Sequence, residues 1–79
     1  MFAIDAEIDI TREVCPMTFV RTRLMLDRLG PGAILLVRLR GEEPTRNVPA
    51  MAASLGHEVL EQSETDGVTR LVIRRAGPV

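Results

Sequence analysis

The only cysteine of the chain, Cys15, is followed at once by proline and then by a long run with helical spacing, in Val14-Cys15-Pro16-Met17-Thr18. Proline is favoured at the first helical position, because the N–H it lacks would have no partner there. Cys15 is therefore the expected cap. A thiol at that place meets the positive end of the helix dipole and backbone N–H groups without intrahelical partners, and both favour the thiolate. The chemistry on offer is nucleophilic attack by one sulfur. A free cysteine also often serves as a small buried hydrophobe, and the pentapeptide alone leaves both readings open. One cysteine excludes an internal disulfide, a catalytic dithiol and an all-cysteine metal site, so the thiol works alone or with another protein's thiol.

The elements that must position this thiol follow from the hydrophobic pattern. Residues 4 to 10 alternate strictly, with Ile4, Ala6, Ile8 and Ile10 on one face and Asp5, Glu7 and Asp9 on the other, as a half-buried strand does. A polar turn, Thr11-Arg12-Glu13, leads into the cysteine. The spacing predicts a helix from Pro16 to Leu29, with Phe19, Thr22, Met25, Leu26 and Leu29 on its buried face and Gly30-Pro31-Gly32 as its stop. Met17, Val20 and Leu24 form a second apolar stripe that begins beside the cysteine. Such a stripe usually packs against a neighbouring helix or loop; the alternative is a docking surface for a partner that approaches the thiol.

A second strand is expected over Ala33 to Arg40, an acidic loop over Gly41 to Pro44, and a second helix over Arg46 to Leu55. Thr45 or Asn47 would cap that helix, Val48, Met51, Ala52 and Leu55 would form its apolar face, and Pro49 fits only near its beginning. Asp66-Gly67 signals a hairpin between strands at Glu58 to Glu64 and Val68 to Arg75, with Leu71 and Ile73 facing in and Arg70, Val72 and Arg74 facing out.

The order β-α-β-α-β-β, with right-handed crossovers, implies a two-layer α/β (α+β) sandwich. A four-stranded mixed sheet carries both helices on one face and turns the other to solvent. Sheet order 1-2-4-3 sets the acidic stripes Asp5, Glu7, Asp9 and Glu58, Glu61, Glu64 beside Arg38, Arg40, Arg70 and Arg74, at the cost of two adjacent arginine rows. The same topology gathers Cys15, Thr45, Arg46, Asn47 and Asp66 at one end. Arg46, and Arg12 in the preceding turn, are the candidate cations for an anionic sulfur, although Arg46 can equally pair with Glu42 or Glu43. His57 falls at the opposite end, which argues against a Cys-His hydrolase.

Seventy-nine residues make one small domain, 1–79, and with two phenylalanines and no tryptophan or tyrosine its core must be aliphatic. A net charge of −1 supplies no field for nucleic acid or an anionic membrane, and no stacking aromatic platform or Gly-rich phosphate loop is present. Residues 1–10 lack the apolar run of a signal peptide and no stretch reaches membrane-spanning length, so the expected location is cytoplasmic.

Taken together, these residues resemble the TusA-like sulfur carriers, small β-α-β-α-β-β proteins built around a Cys-Pro-x-Pro motif. The resemblance rests on Asp9 ahead of Cys15-Pro16, Gly30-Pro31-Gly32, Thr45-Arg46-Asn47-Val48-Pro49, His57-Glu58 and Glu64-Thr65-Asp66-Gly67. It implies a sulfurtransferase in which Cys15 accepts sulfane sulfur as a persulfide. The donor would be a cysteine desulfurase or rhodanese-type protein, and the sulfur passes to an acceptor protein without metal or organic cofactor. Two positions depart: Thr18 replaces the second motif proline, and Arg12 stands where a glycine is usual. As the third helical residue Thr18 would present a hydroxyl able to reach back to the sulfur, as in a capping box. One extra residue between His57 and Asp66 predicts a bulge in the third strand. The rival reading is a regulatory or interaction module of the same fold without sulfur transfer; RNA binding by the arginine face is a third, disfavoured by its flanking acids.

Overall fold

The computed structural model of the chain describes residues 3–14 and 16–77. The order is β1 (Ala6–Asp9), α1 (Met17–Arg28), β2 (Ile34–Arg40), α2 (Glu42–Ser54), β3 (Glu58–Thr65) and β4 (Val68–Arg74). The strands form one sheet, β1-β2-β4-β3, with β1 parallel to β2 and β4 antiparallel to both of its neighbours. Both helices contribute to a single aliphatic core on one face, where Leu26, Val48 and Ala52 join Ile8, Leu35, Val37, Leu39, Leu71 and Ile73. Alternation along the strands dictates this, because residues two apart share a face. Among the described residues no helix is long and apolar enough to cross a membrane.

Asp66 and Gly67 both take positive φ, 54° and 79°, between the paired Thr65 and Val68. This two-residue turn matches the right-handed twist of the strands, and Asp-Gly tolerates it at little steric cost. The expected bulge lies between Val59 and Glu61.

The second helix departs from expectation. It starts at Glu42, with Gly41 as cap at φ 101° and ψ 153°, so the acidic loop is its first turn and neither Thr45 nor Asn47 caps it. Glu42 and Glu43 favour that start because they face the positive end of the helix dipole, and Pro44 loses no bond in a first turn. Pro49 therefore lies inside the helix. Leu55 follows the last helical residue and is exposed.

The outer face of the sheet also departs. Its acid-base pairing is as expected, with Arg38–Glu7 at 3.0 Å, Arg70–Glu61 at 2.7 Å and Arg74 bonded to Glu58. Yet Val72, expected in solvent, is 0% exposed, and its cross-strand partner Leu36 is 4% exposed. The pair is flanked in register by Arg38↔Arg70 and by Arg74. Ion pairs hold those guanidinium groups beside the pair, and arginine stems in such a place can cover apolar surface.

Candidate functional site

Cys15 lies outside the described residues; the site is built from its neighbours on either side. Before it, the strand end is held by the register Asp9↔Arg38 and by the Ile10 N–H, which donates to the Arg38 carbonyl at 3.0 Å. Asp9 then organises the turn: its carboxylate accepts the Thr11 N–H at 3.0 Å and the Thr11 hydroxyl at 2.7 Å. These two bonds, helped by the charges of Arg38 and Arg12, hold the Asp9 carboxyl below the usual carboxylate range. Glu13 is tied to Arg21 of α1 at 2.6 Å.

After the cysteine, the helix begins one residue later than the spacing predicts. Pro16 occupies the cap position, with φ −89° and ψ 3°, and the Met17 N–H donates to the Val14 carbonyl at 2.8 Å. The cap expected at Cys15 is thus Pro16. Thr18 becomes the second helical residue and not the third. It is fully buried, with Thr22 and Leu26 one and two turns on, so it belongs to the core-facing side. The Thr22 hydroxyl donates to the Thr18 carbonyl at 2.8 Å. Sequence reasoning placed Thr22 on that face and missed Thr18, whose i, i+4, i+8 spacing with Thr22 and Leu26 was the available signal.

The second apolar stripe remains partly open to solvent, where the commoner expectation was packing against a neighbouring helix or loop. Met17, Val20 and Leu24 are 43%, 41% and 51% exposed, and Val14, just before the cysteine, is 72% exposed. The result is one exposed apolar strip that runs from the cysteine turn along α1.

Of the candidate cations, Arg12 lines a shallow depression with Asp9, Thr11, Glu13 and Arg40. Arg46 lines a different one, with Gly41, Glu42, Thr45, Gln62 and Glu64, on the hairpin side of α2. Val14 lines a small cleft with Glu13, Arg40, Glu43 and Pro44. Asp66 is exposed at the hairpin tip. His57 sits at the other end of the molecule, where its Nδ1 accepts the Ala76 N–H at 2.9 Å.

A family model described as sulfurtransferase TusA matches residues 6–75. The chain belongs to the TusA sulfurtransferase family. Among relatives, it is 32% identical over 73 residues to the sulfur carrier protein TusA of Pseudomonas aeruginosa, covering 92% of each chain. It is also 45% identical over 53 residues to a proposed sulfur carrier protein of Archaeoglobus fulgidus, a match that spans 67% of this chain and 60% of that one. The crystal structure of a SirA-like protein from Desulfitobacterium hafniense superposes with a TM-score of 0.80 at 29% identity, covering 90% of this chain and 97% of that one. For a TusA-family chain, the cysteine turn and the strip beside it are the features whose chemistry must be explained.

Proposed function

We propose that this protein is a sulfur carrier that holds sulfane sulfur as a persulfide on Cys15 and relays it between proteins. The observation that carries the reading is the exposure of the cysteine's chain neighbours: Val14, Pro16 and Met17 all lie at the surface, at the N-terminal end of α1. A carried sulfur must be reachable by two successive partners, and a helix N-terminus favours the anionic form that reacts.

The step is an exchange. The Cys15 thiolate attacks the outer sulfur of a donor persulfide; a new S–S bond forms at Cys15, the donor's S–S bond breaks, and the donor leaves as a thiolate. The proton of the donor persulfide stays with the transferred sulfur, and no external oxidant is consumed. Delivery to the acceptor is the same step in reverse roles. Arg12, three residues before the cysteine, contributes positive charge, and Val14, Met17, Val20 and Leu24 form the surface on which donor and acceptor dock in turn. Donors of the cysteine desulfurase or rhodanese type supply sulfur in this form. The relay operates in the cytoplasm, where a lone thiol stays reduced.

Incubation with a persulfide donor and intact-mass measurement tests the reading. The wild-type chain gains about 32 Da, one sulfur atom on the thiol, and Cys15→Ser gains none. Loading that persists in Cys15→Ser, or no loading of the wild type, overturns it.

A further inference from the structure

We propose that the exposed face of α1 is a seat for an acidic amphipathic helix of a partner protein. Met17, Val20 and Leu24 form its apolar seam, and Arg21, Arg23 and Arg28 receive carboxylates along the two edges. The inference rests on the reading of this strip as a docking surface and deepens it by naming the kind of segment that docks.

The spacing along the helix carries the placement. Met17, Val20 and Leu24, all exposed, stand at i, i+3 and i+7, which are the a, d and a positions of a heptad. Arg21 and Arg28 then take e positions, and Arg23 takes the g position between them. These are the places that flank an apolar seam and meet the charged residues of a facing helix. Thr18, Thr22 and Leu26, all buried, occupy the opposite side of α1, so the seam and its arginines look outward. Asp27 takes the next d position and ends the seam.

Charge selects the occupant. Every e and g position of α1 is an exposed arginine. Arg21 is joined to Glu13, whereas among the described residues Arg23 and Arg28 belong to none of the ion pairs. A second copy of α1 would set arginine against arginine, e facing g in a parallel pair and e facing e in an antiparallel one, so self-pairing is disfavoured. An anionic membrane would also attract the arginines, but the seam exposes no aromatic side chain, ends at a carboxylate, and belongs to a helix whose other side is committed to the core. A helix with aliphatic a and d residues and glutamate or aspartate at e and g satisfies both the seam and its edges. The seam is only about two turns long, so the contact is short-lived, as a carrier that leaves one partner for the next requires.

The test uses a fluorescently labelled designed peptide of about three heptads, with leucine at a and d and glutamate at e and g, whose like charges keep it from pairing with itself. Its anisotropy should show binding to the wild-type chain that weakens as salt rises. The same peptide with lysine at e and g should not bind. Leu24→Asp and Arg23→Glu should each lower the affinity at least about fivefold, while Arg46→Glu, the same change of charge on α2, should leave it in place. The double variant Arg23→Glu, Arg28→Glu should turn the preference toward the lysine peptide. No binding of the acidic peptide, equal binding of both peptides, or binding indifferent to Leu24→Asp overturns the proposal. So does binding to vesicles of phosphatidylcholine and phosphatidylserine that Leu24→Asp abolishes, which would assign the face to a membrane. A dimer in sedimentation that Leu24→Asp dissolves would assign it to a second copy and overturn the proposal equally. Far-ultraviolet circular dichroism checks the fold of each variant, and the salt series and the two peptides test the wild type without any substitution. Cys15→Ser should bind the acidic peptide as the wild type does. Failure of persulfide loading would therefore sink the carrier reading and leave this proposal to be decided by the peptides.

Discussion

The side-chain amide of Gln62 donates to the backbone carbonyl of Thr45 at 3.1 Å. Pro49, four residues after Thr45, has no N–H to give to that carbonyl, so a proline that should weaken the helix interior is compensated from the neighbouring strand. Thr45 is bound to the hairpin a second time, through its hydroxyl and that of Thr69 at 3.1 Å. The start of α2, and with it Gly41 and the end of β2 beside the cysteine turn, is anchored by these contacts.

A double-mutant cycle measures this compensation. Gln62→Ala should cost about 0.5–1.5 kcal/mol in urea unfolding of the otherwise wild-type chain. In a Pro49→Ala background, where the introduced alanine supplies the missing N–H, the same change should cost close to nothing. Equal losses in the two backgrounds would show that the bond does not replace the one proline removes.

The apolar strip on α1 should be separable from stability. Val20→Asp and Leu24→Asp change exposed side chains, so each should alter unfolding free energy by only about 0.5 kcal/mol or less. Sulfur transfer from a protein donor should fall at least several-fold, while loading from a small-molecule persulfide stays at the wild-type rate. Equal loss with both donors would mean that the strip acts on the thiol itself and not on docking.

Leu36 and Val72 give the opposite expectation for the outer sheet face. Position alone suggests a harmless substitution, but burial predicts that Leu36→Ala costs about 2–3 kcal/mol, as in a core. Part of that cover depends on arginines held sideways by Glu7, Glu58 and Glu61, so Glu7→Gln and Glu61→Gln should lower the penalty of Leu36→Ala. Chemical denaturation of the single and combined variants checks both statements.

His57 should make stability pH-dependent. Burial pushes its pKa below the ordinary 6.5, the nearby Arg75 adds to this, and Asp27 opposes it. Its Nδ1 accepts the Ala76 N–H only when the ring is not protonated there, and Arg75 itself donates to the Leu26 carbonyl at 2.6 Å at the end of α1. The unfolded chain therefore takes up the proton at a higher pH than the folded one. The contribution is fully present above pH 6.5 and is lost as the pH falls toward the lower folded-state value. Denaturation profiles at pH 7.5 and 5.5 should show this loss in the wild type and its absence in His57→Gln; identical slopes in both would reject it.

Much of this molecule is written in local pattern. Period-two alternation located the first, second and fourth strands, Asp66-Gly67 located the hairpin and with it the less regular third strand, and the charge stripes agreed with the order β1-β2-β4-β3, because side chains on adjacent strands must pair or repel across a fixed spacing. The resemblance of the chain to sulfur carriers agreed with the family match over residues 6–75. What the pattern could not decide were matters of distance between elements. Whether Pro49 could sit inside a helix depended on Gln62, a residue on another strand. Whether Met17, Val20 and Leu24 were covered, and whether Val72 was wet, depended on what the assembled layers place over them. Helix spacing says which residues share a face, but only the assembled layers say what that face meets.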